Sequence, residues 1–134
     1  MFKEPKKIKF KKIRKGKLLK YKYNVDNLTF GVVGLKAKNS GILNAKQIEA
    51  ARKAIVRNNK KKIKVWIKIF PNVPITSKST GVRMGKGKGQ FSHWGVKVRG
   101  GTLLFEICGA NFKTLTKSLK SGAKKLPIKT LIFN

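Results

Sequence analysis

The sequence predicts an α+β fold: an antiparallel sheet with two packed helices, a basic N-terminal arm and a long Gly/Lys loop. Three observations predict it. Ile63 to Phe70 alternates with period two, residues 45 to about 60 and 111 to 125 carry apolar positions at helical spacing, and two further alternating runs flank Gly100-Gly101. No internal repeat is visible, so residues 1–23 read as a basic arm and residues 24–134 as a single domain whose extended loop spans 77–90.

The arm carries Lys6, Lys7, Lys9, Lys11, Lys12, Arg14 and Lys15, with isolated Ile8, Phe10 and Ile13 between them and little periodicity. It reads either as an extended segment that orders on a polyanion or as an edge strand of the domain. Leu28 to Ala37 is rich in apolar and β-branched residues and reads as a strand, with Gly31 and Gly34 marking a bulge or a close backbone approach. Asn44 is a good helix N-cap, and Gln47 stands three residues on, where it can reach back as in a capping box. In the helix that follows, Ile48, Ala51 and Ile55 share one face, and Lys46, Lys53, Arg57 and Lys60 share the opposite one. Glu49, four residues before Lys53, is the one acidic residue at i±4 to that stripe, so the face suits phosphate better than a plain solvated surface. Arg52 lies in the same helix and is counted with the phosphate-binding set.

Ile63, Val65, Ile67 and Ile69 form the inner side of the clearest strand. Lys64, Trp66, Lys68 and Phe70 form its other side, which is either an RNA-facing platform of basic and aromatic groups or a second packed face. Pro71 and Pro74 close that strand, and Ser77 to Gln90 has turn chemistry. Trp94, Val96 and Val98, then Gly100-Gly101, then Leu103, Phe105 and Ile107 read as a β-hairpin. In the second helix Phe112, Leu115 and Leu119 point to the core, and Lys113, Lys117, Lys120 and Lys124 form another basic stripe. Leu126-Pro127 ends it, and Ile128 to Phe133 reads as a last strand.

Composition limits what this fold is for. The 134 residues hold 34 Lys plus Arg against 4 Asp plus Glu, a formal net charge of +30. A compact object so charged repels itself unless a polyanion neutralises it, and nucleic acid is the expected partner. Asn27 to Leu35, an uncharged stretch as long as any in the chain, falls far short of the about 20 apolar residues of a membrane-spanning helix. Cys108 alone allows no internal disulfide, and with His93 alone beside it no structural zinc site or other metal site is expected. Glu4, Asp26, Glu49 and Glu106 are scattered singly, which argues against carboxylate catalysis and against a bound magnesium cluster. A nucleophile at Cys108 or a base at His93 has only Glu106 nearby in sequence to orient it. No enzyme activity and no cofactor are expected. Nor is a removable leader visible in the basic start, Met1 to Lys7.

The most informative segment is Arg83, Met84, Gly85, Lys86, Gly87, Lys88 and Gly89, with Gly81 and Val82 before it. Glycine lets the backbone approach phosphates closely and each Lys adds a flexible ammonium, so this is a finger for a crowded anionic site. On chemistry alone a plain flexible surface loop remains open. Neither a phosphate-binding Walker loop nor the dinucleotide glycine fingerprint fits the spacing.

Taken in order, these motifs resemble those of the universal large-subunit ribosomal protein family called L-sixteen in bacteria. The resemblance rests on Lys6 to Lys15, Phe30-Gly31-x-x-Gly34-Leu35-Lys36-Ala37, Gln47 to Arg52, Phe70-Pro71-x-x-Pro74-Ile75-Thr76, Val82 to Gly89, Trp94, Leu104 to Ile107 and Lys125 to Thr130. Leu18 to Asn27 departs from the family pattern. The resemblance implies a structural protein of the large ribosomal subunit that binds rRNA near the aminoacyl-tRNA site and peptidyl transferase region, with the loop at 83–89 facing tRNA. Its implied partners are large-subunit rRNA, tRNA and neighbouring ribosomal proteins, with no homo-oligomer. The alternative is a free basic nucleic-acid-binding protein of nucleoid type, for which charge alone suffices. Among the basic residues 29 are Lys and 5 are Arg, with Ile and Asn also frequent. That bias, with the uncleaved start, points to a mitochondrial gene product, the alternative being a plastid or an AT-rich bacterial cytoplasm.

Overall fold

The computed structural model describes residues 4–7, 10–21, 27–57, 59 and 63–134. Lys9 and Lys60, both expected to meet rRNA, lie outside the described residues. Strands β1 (Val33–Ala37) and β2 (Gly41–Asn44) lead into helix α1 (Ala45–Arg57). Then come β3 (Lys64–Ile67), β4 (Val73–Ser77), β5 (Gln90–Val98) and β6 (Leu103–Cys108), helix α2 (Phe112–Ala123) and β7 (Thr130–Phe133). The fold is α+β as expected, but it holds two antiparallel sheets rather than one: β3-β6-β1-β7 and β2-β5-β4.

The expected hairpin across Gly100-Gly101 does not form. β5 pairs with β2 along one half and β4 along the other, whereas β6 pairs with β1 and β3. Both strands therefore have both edges occupied, and the turn between them carries the chain from one sheet to the other. It is clamped to β1: Gly101 N–H donates to the Ala37 carbonyl at 2.7 Å, and Ala37 N–H donates to Thr102 O at 2.9 Å. Alternation reports which face a residue occupies, not which strand lies alongside.

β1 is central in its sheet and all five of its residues are buried, so no polar/apolar alternation marks it. The sequence reading began this strand at Leu28; residues 28–32 instead approach β6 irregularly. β2 went unseen because its four residues carry little pattern, and β4 because Pro71 and Pro74 read as the end of a strand. Pro74 in β4 is tolerated because β4 is an edge strand, where a missing N–H leaves no ladder gap. In β3 the alternation holds: Ile63 and Ile69 are buried, and Val65 and Ile67 pack against the core.

One apolar cluster joins both sheets and both helices, including Leu35 from β1, Leu43 from β2, Ile55 from α1, Val98 from β5, Phe105 from β6 and Leu119 from α2. The helices cross at Gly122, where a Cβ would fall 2.5 Å from Ile55 Cγ1, so glycine permits the close approach. Beside it Asn59 donates from Nδ2 to the Ile55 carbonyl and to Ser118 Oγ, tying the end of α1 to α2. Leu115 and Leu119 face the core as read, but Phe112 does not; it begins the helix and its ring is exposed.

Candidate nucleic-acid interface

Residues 78–89 connect β4 to β5 as a finger whose stem is the best-paired part of the smaller sheet, from Val73 opposite Gly95 to Ser77 opposite Gln90. Ser77 and Gln90 thus belong to the stem and not to the loop. Gly89 lies so close to the Ser77 carbonyl and Lys78 N that a Cβ has no room, which closes the stem. Beyond it, Gly81, Gly85 and Gly87 take φ values of 89°, 85° and 79°, a left-handed backbone that side-chain-bearing residues avoid, and a Cβ at any of them would meet nothing within 4 Å beyond its chain neighbours. Arg83, Met84, Lys86 and Lys88 are exposed on this backbone, Met84 at 93%.

The arm meets the finger at its base. Lys12 Nζ donates to the Lys88 carbonyl at 2.9 Å, and Lys88 Nζ donates to the Ile13 carbonyl. Lys97 of β5 donates to the Lys15 carbonyl, and Gly100 N–H donates to Lys20 O at 2.9 Å. A single parallel bridge, Tyr21 to Gly100, is the arm's described share of sheet pairing. Lys6, Lys7, Lys11, Lys12, Arg14 and Lys15 are all exposed. Two sets of cations far apart in sequence are thereby brought together. Lys97 was not singled out in the sequence; its clue was a Lys on a strand position that faces neither core nor turn.

On α1, Ile48, Ala51 and Ile55 are buried, while Lys46, Lys53 and Arg57 are exposed on the opposite side. The Asn44 N–H donates to Gln47 Oε1 at 2.9 Å, the backward half of the capping box. Arg52 differs from the rest of its set. Its guanidinium is held by both carboxylate oxygens of Glu49, at 3.0 and 2.7 Å. That hydrogen bond and the nearby charge outweigh burial and hold Arg52 above its usual pKa. A fork so engaged is less available to phosphate than the lysines around it. On α2, Lys113, Lys117, Lys120 and Lys124 are exposed opposite Leu115 and Leu119.

The buried carboxylate is the feature that sequence reasoning missed. Glu106 is fully buried in β6, and its Oε2 accepts N–H bonds from Thr29, Phe30 and Gly31 at 3.2, 2.7 and 2.8 Å. The Lys68 ammonium lies 3.3 Å from Oε1. Burial pushes this carboxyl up, but the backbone donors of Phe30 and Gly31, then Lys68 and Thr29, outweigh it and hold it below the usual glutamate range. Its contacts orient residues 29–31, not His93 or Cys108. The signal was present: a lone Glu inside Leu103-Leu104-Phe105-Glu106-Ile107 demands a partner. Among the described residues no group of three or more His, Cys, Asp and Glu could hold a metal, and no helix is long and apolar enough to cross a membrane. Trp94 is a buried anchor with Phe91 edge-on at 5.2 Å.

A firmly packed two-sheet body that presents an arm, a glycine-lysine finger and basic helix faces defines a nucleic-acid-binding scaffold protein. Comparison with known proteins narrows this. Residues 5–133 match the model of the family described as Ribosomal protein L16p/L10e, and the chain belongs to that family. It is 46% identical over 127 residues to the large ribosomal subunit protein uL16 of Sinorhizobium fredii, a match covering 95% of this chain and 93% of that protein. The protein of that name from Parvibaculum lavamentivorans is 46% identical, with 95% and 91% covered. The one from Paracoccus denitrificans is 46% identical over 129 residues, with 96% and 94% covered. The resemblance carried by the ordered motifs is borne out, and the family is structural rather than enzymatic. These relatives are bacterial.

Proposed function

We propose that this chain is a structural constituent of the large ribosomal subunit, that it binds rRNA beside the aminoacyl-tRNA site and peptidyl transferase region, and that its finger helps position tRNA. The finger carries the reading. A sterically closed stem at Gly89 supports a tip of open glycines, so the cations at 83 and 86 stand away from the body on a backbone thin enough to enter a crowded anionic cleft, with Lys88 tied to the arm at its base. The exposed lysines of α1, α2 and the arm supply the broad phosphate contacts that fix the body, with neighbouring ribosomal proteins at its margins. A second copy of a +30 chain is repelled, which supports incorporation as a single copy. The lysine-heavy composition supports a mitochondrial large subunit, with a plastid or an AT-rich bacterium as the other source.

The test replaces Arg83, Lys86 and Lys88 together with Ala. Subunits are expected to take up the variant fully and to accommodate aminoacyl-tRNA poorly; normal tRNA binding by fully loaded variant subunits would refute the role of the finger. Gradient sedimentation of an organelle lysate tests the rest. Co-migration with the large mitochondrial subunit is expected, whereas protein tracking with chromosomal DNA would favour a free nucleoid-type binder.

A further inference from the structure

At the β3 edge of the larger sheet, an aromatic ring stands in water where a globular domain gains nothing by leaving it. Phe30 is 60% exposed, yet its ring is far from loose. It stacks on half-buried Trp66 with centroids 5.9 Å apart and planes at 23°. The Lys68 ammonium lies 5.1 Å from the Phe30 centroid and donates to Thr29 Oγ1 at 3.2 Å. Its backbone N–H, with those of Thr29 and Gly31, is held by the buried Glu106 carboxylate. Gly31 cannot be bulkier, since a Cβ there would lie 2.8 Å from Glu106 Cβ and from Ile107 N. The ring is therefore positioned in advance by the buried Glu106 carboxylate, its solvent-reaching partner Lys68 and a stacked indole.

We propose that Phe30, backed by Trp66, is a stacking seat for one unpaired RNA base, with Lys64 meeting the adjoining phosphate. The proposal rests on the RNA-binding reading above and adds a site to it, away from the finger. A π-face is sequence-tolerant toward bases, and a preorganised ring gives up little freedom on binding. Lys64 is exposed on the same strand face as Trp66, two residues away, so stacking surface and cation occur together. That pairing of ring and ammonium on a +30 chain fits a nucleotide better than the apolar side chain of a neighbouring protein.

The experiment titrates the full-length chain with a short single-stranded oligoadenylate and with an RNA duplex of equal length, following tryptophan fluorescence. Trp94 is buried, so quenching reports on Trp66. Phe30→Ala and Phe30→Leu should each weaken single-strand binding about tenfold, leave duplex binding unchanged and abolish the quenching. Phe30→Tyr should bind like wild type. The salt slope should stay constant in the Phe30 variants and fall by about 0.7 in Lys64→Ala. Phe30→Leu matching wild type would mean a merely apolar contact, as a protein neighbour makes, and would overturn the proposal; so would equal losses on both RNAs. Those outcomes leave the wider RNA-binding reading standing, which fails only if the wild-type chain binds neither RNA in a salt-dependent way.

Discussion

Glu106 places an ionised group in the middle of β6 because three N–H donors and an ammonium converge on it. Glu106→Gln keeps the shape but loses the charge and turns a donating NH2 toward groups that themselves donate. Stability is expected to fall by about 3 kcal/mol, read as a drop in Tm of about 10 °C. The pH dependence follows from the lowered pKa. A carboxylate with a depressed folded pKa contributes stability that is complete above its unfolded value and is lost as pH falls through the folded one. Wild-type Tm should decline below about pH 4.5 more steeply than that of Glu106→Gln; parallel curves in scanning calorimetry would show that the carboxylate is not ionised in the folded chain. That Glu106 needs a partner was legible from its apolar neighbours in sequence, but which groups serve was not, because the three N–H donors lie 75 to 77 positions away.

Among elements, the two helices and β3 were readable because their periodicity is set by one buried face. The failures have equally local causes. Pro74 looked like a terminator because a sequence does not say which strands lie at an edge, and the run from Trp94 to Ile107 looked like a hairpin because alternation is blind to partners. The finger was readable from its residue types, but the Lys88–Ile13 and Lys12–Lys88 contacts that join it to the arm were not. The α2 stripe yields a prediction of its own. Replacing Lys113, Lys117, Lys120 and Lys124 with Ala should leave the isolated fold at least as stable, since like charges are removed from an exposed face. It should flatten the salt dependence of duplex RNA binding by up to about 3 to 4 in slope and lower occupancy in purified subunits. Full occupancy by mass spectrometry would assign that face to solvent.

For the molecule as a whole, the balance between core and charge decides when it is stable. A continuous apolar cluster through both sheets holds the body together while a net +30 pushes its surface apart. Screening should relieve the second term: Tm should climb as salt rises from about 20 mM to about 500 mM, because the Debye length shrinks from roughly 20 Å to a few Å. A short polyanion should raise it further at low salt. A flat Tm across that range would mean that the cations are already compensated within the chain.

The pairing of β1 with β7 has a consequence for how the molecule is made. The first strand of the larger sheet is hydrogen-bonded along one edge to a segment made nearly 100 residues later, Gly34 meeting Phe133 and Ala37 meeting Thr130. Until β7 has been translated, nascent β1 keeps an open edge that invites wrong partners. A truncation before Thr130 should therefore yield a sticky, chaperone-dependent product even though both helices and the finger would already be present.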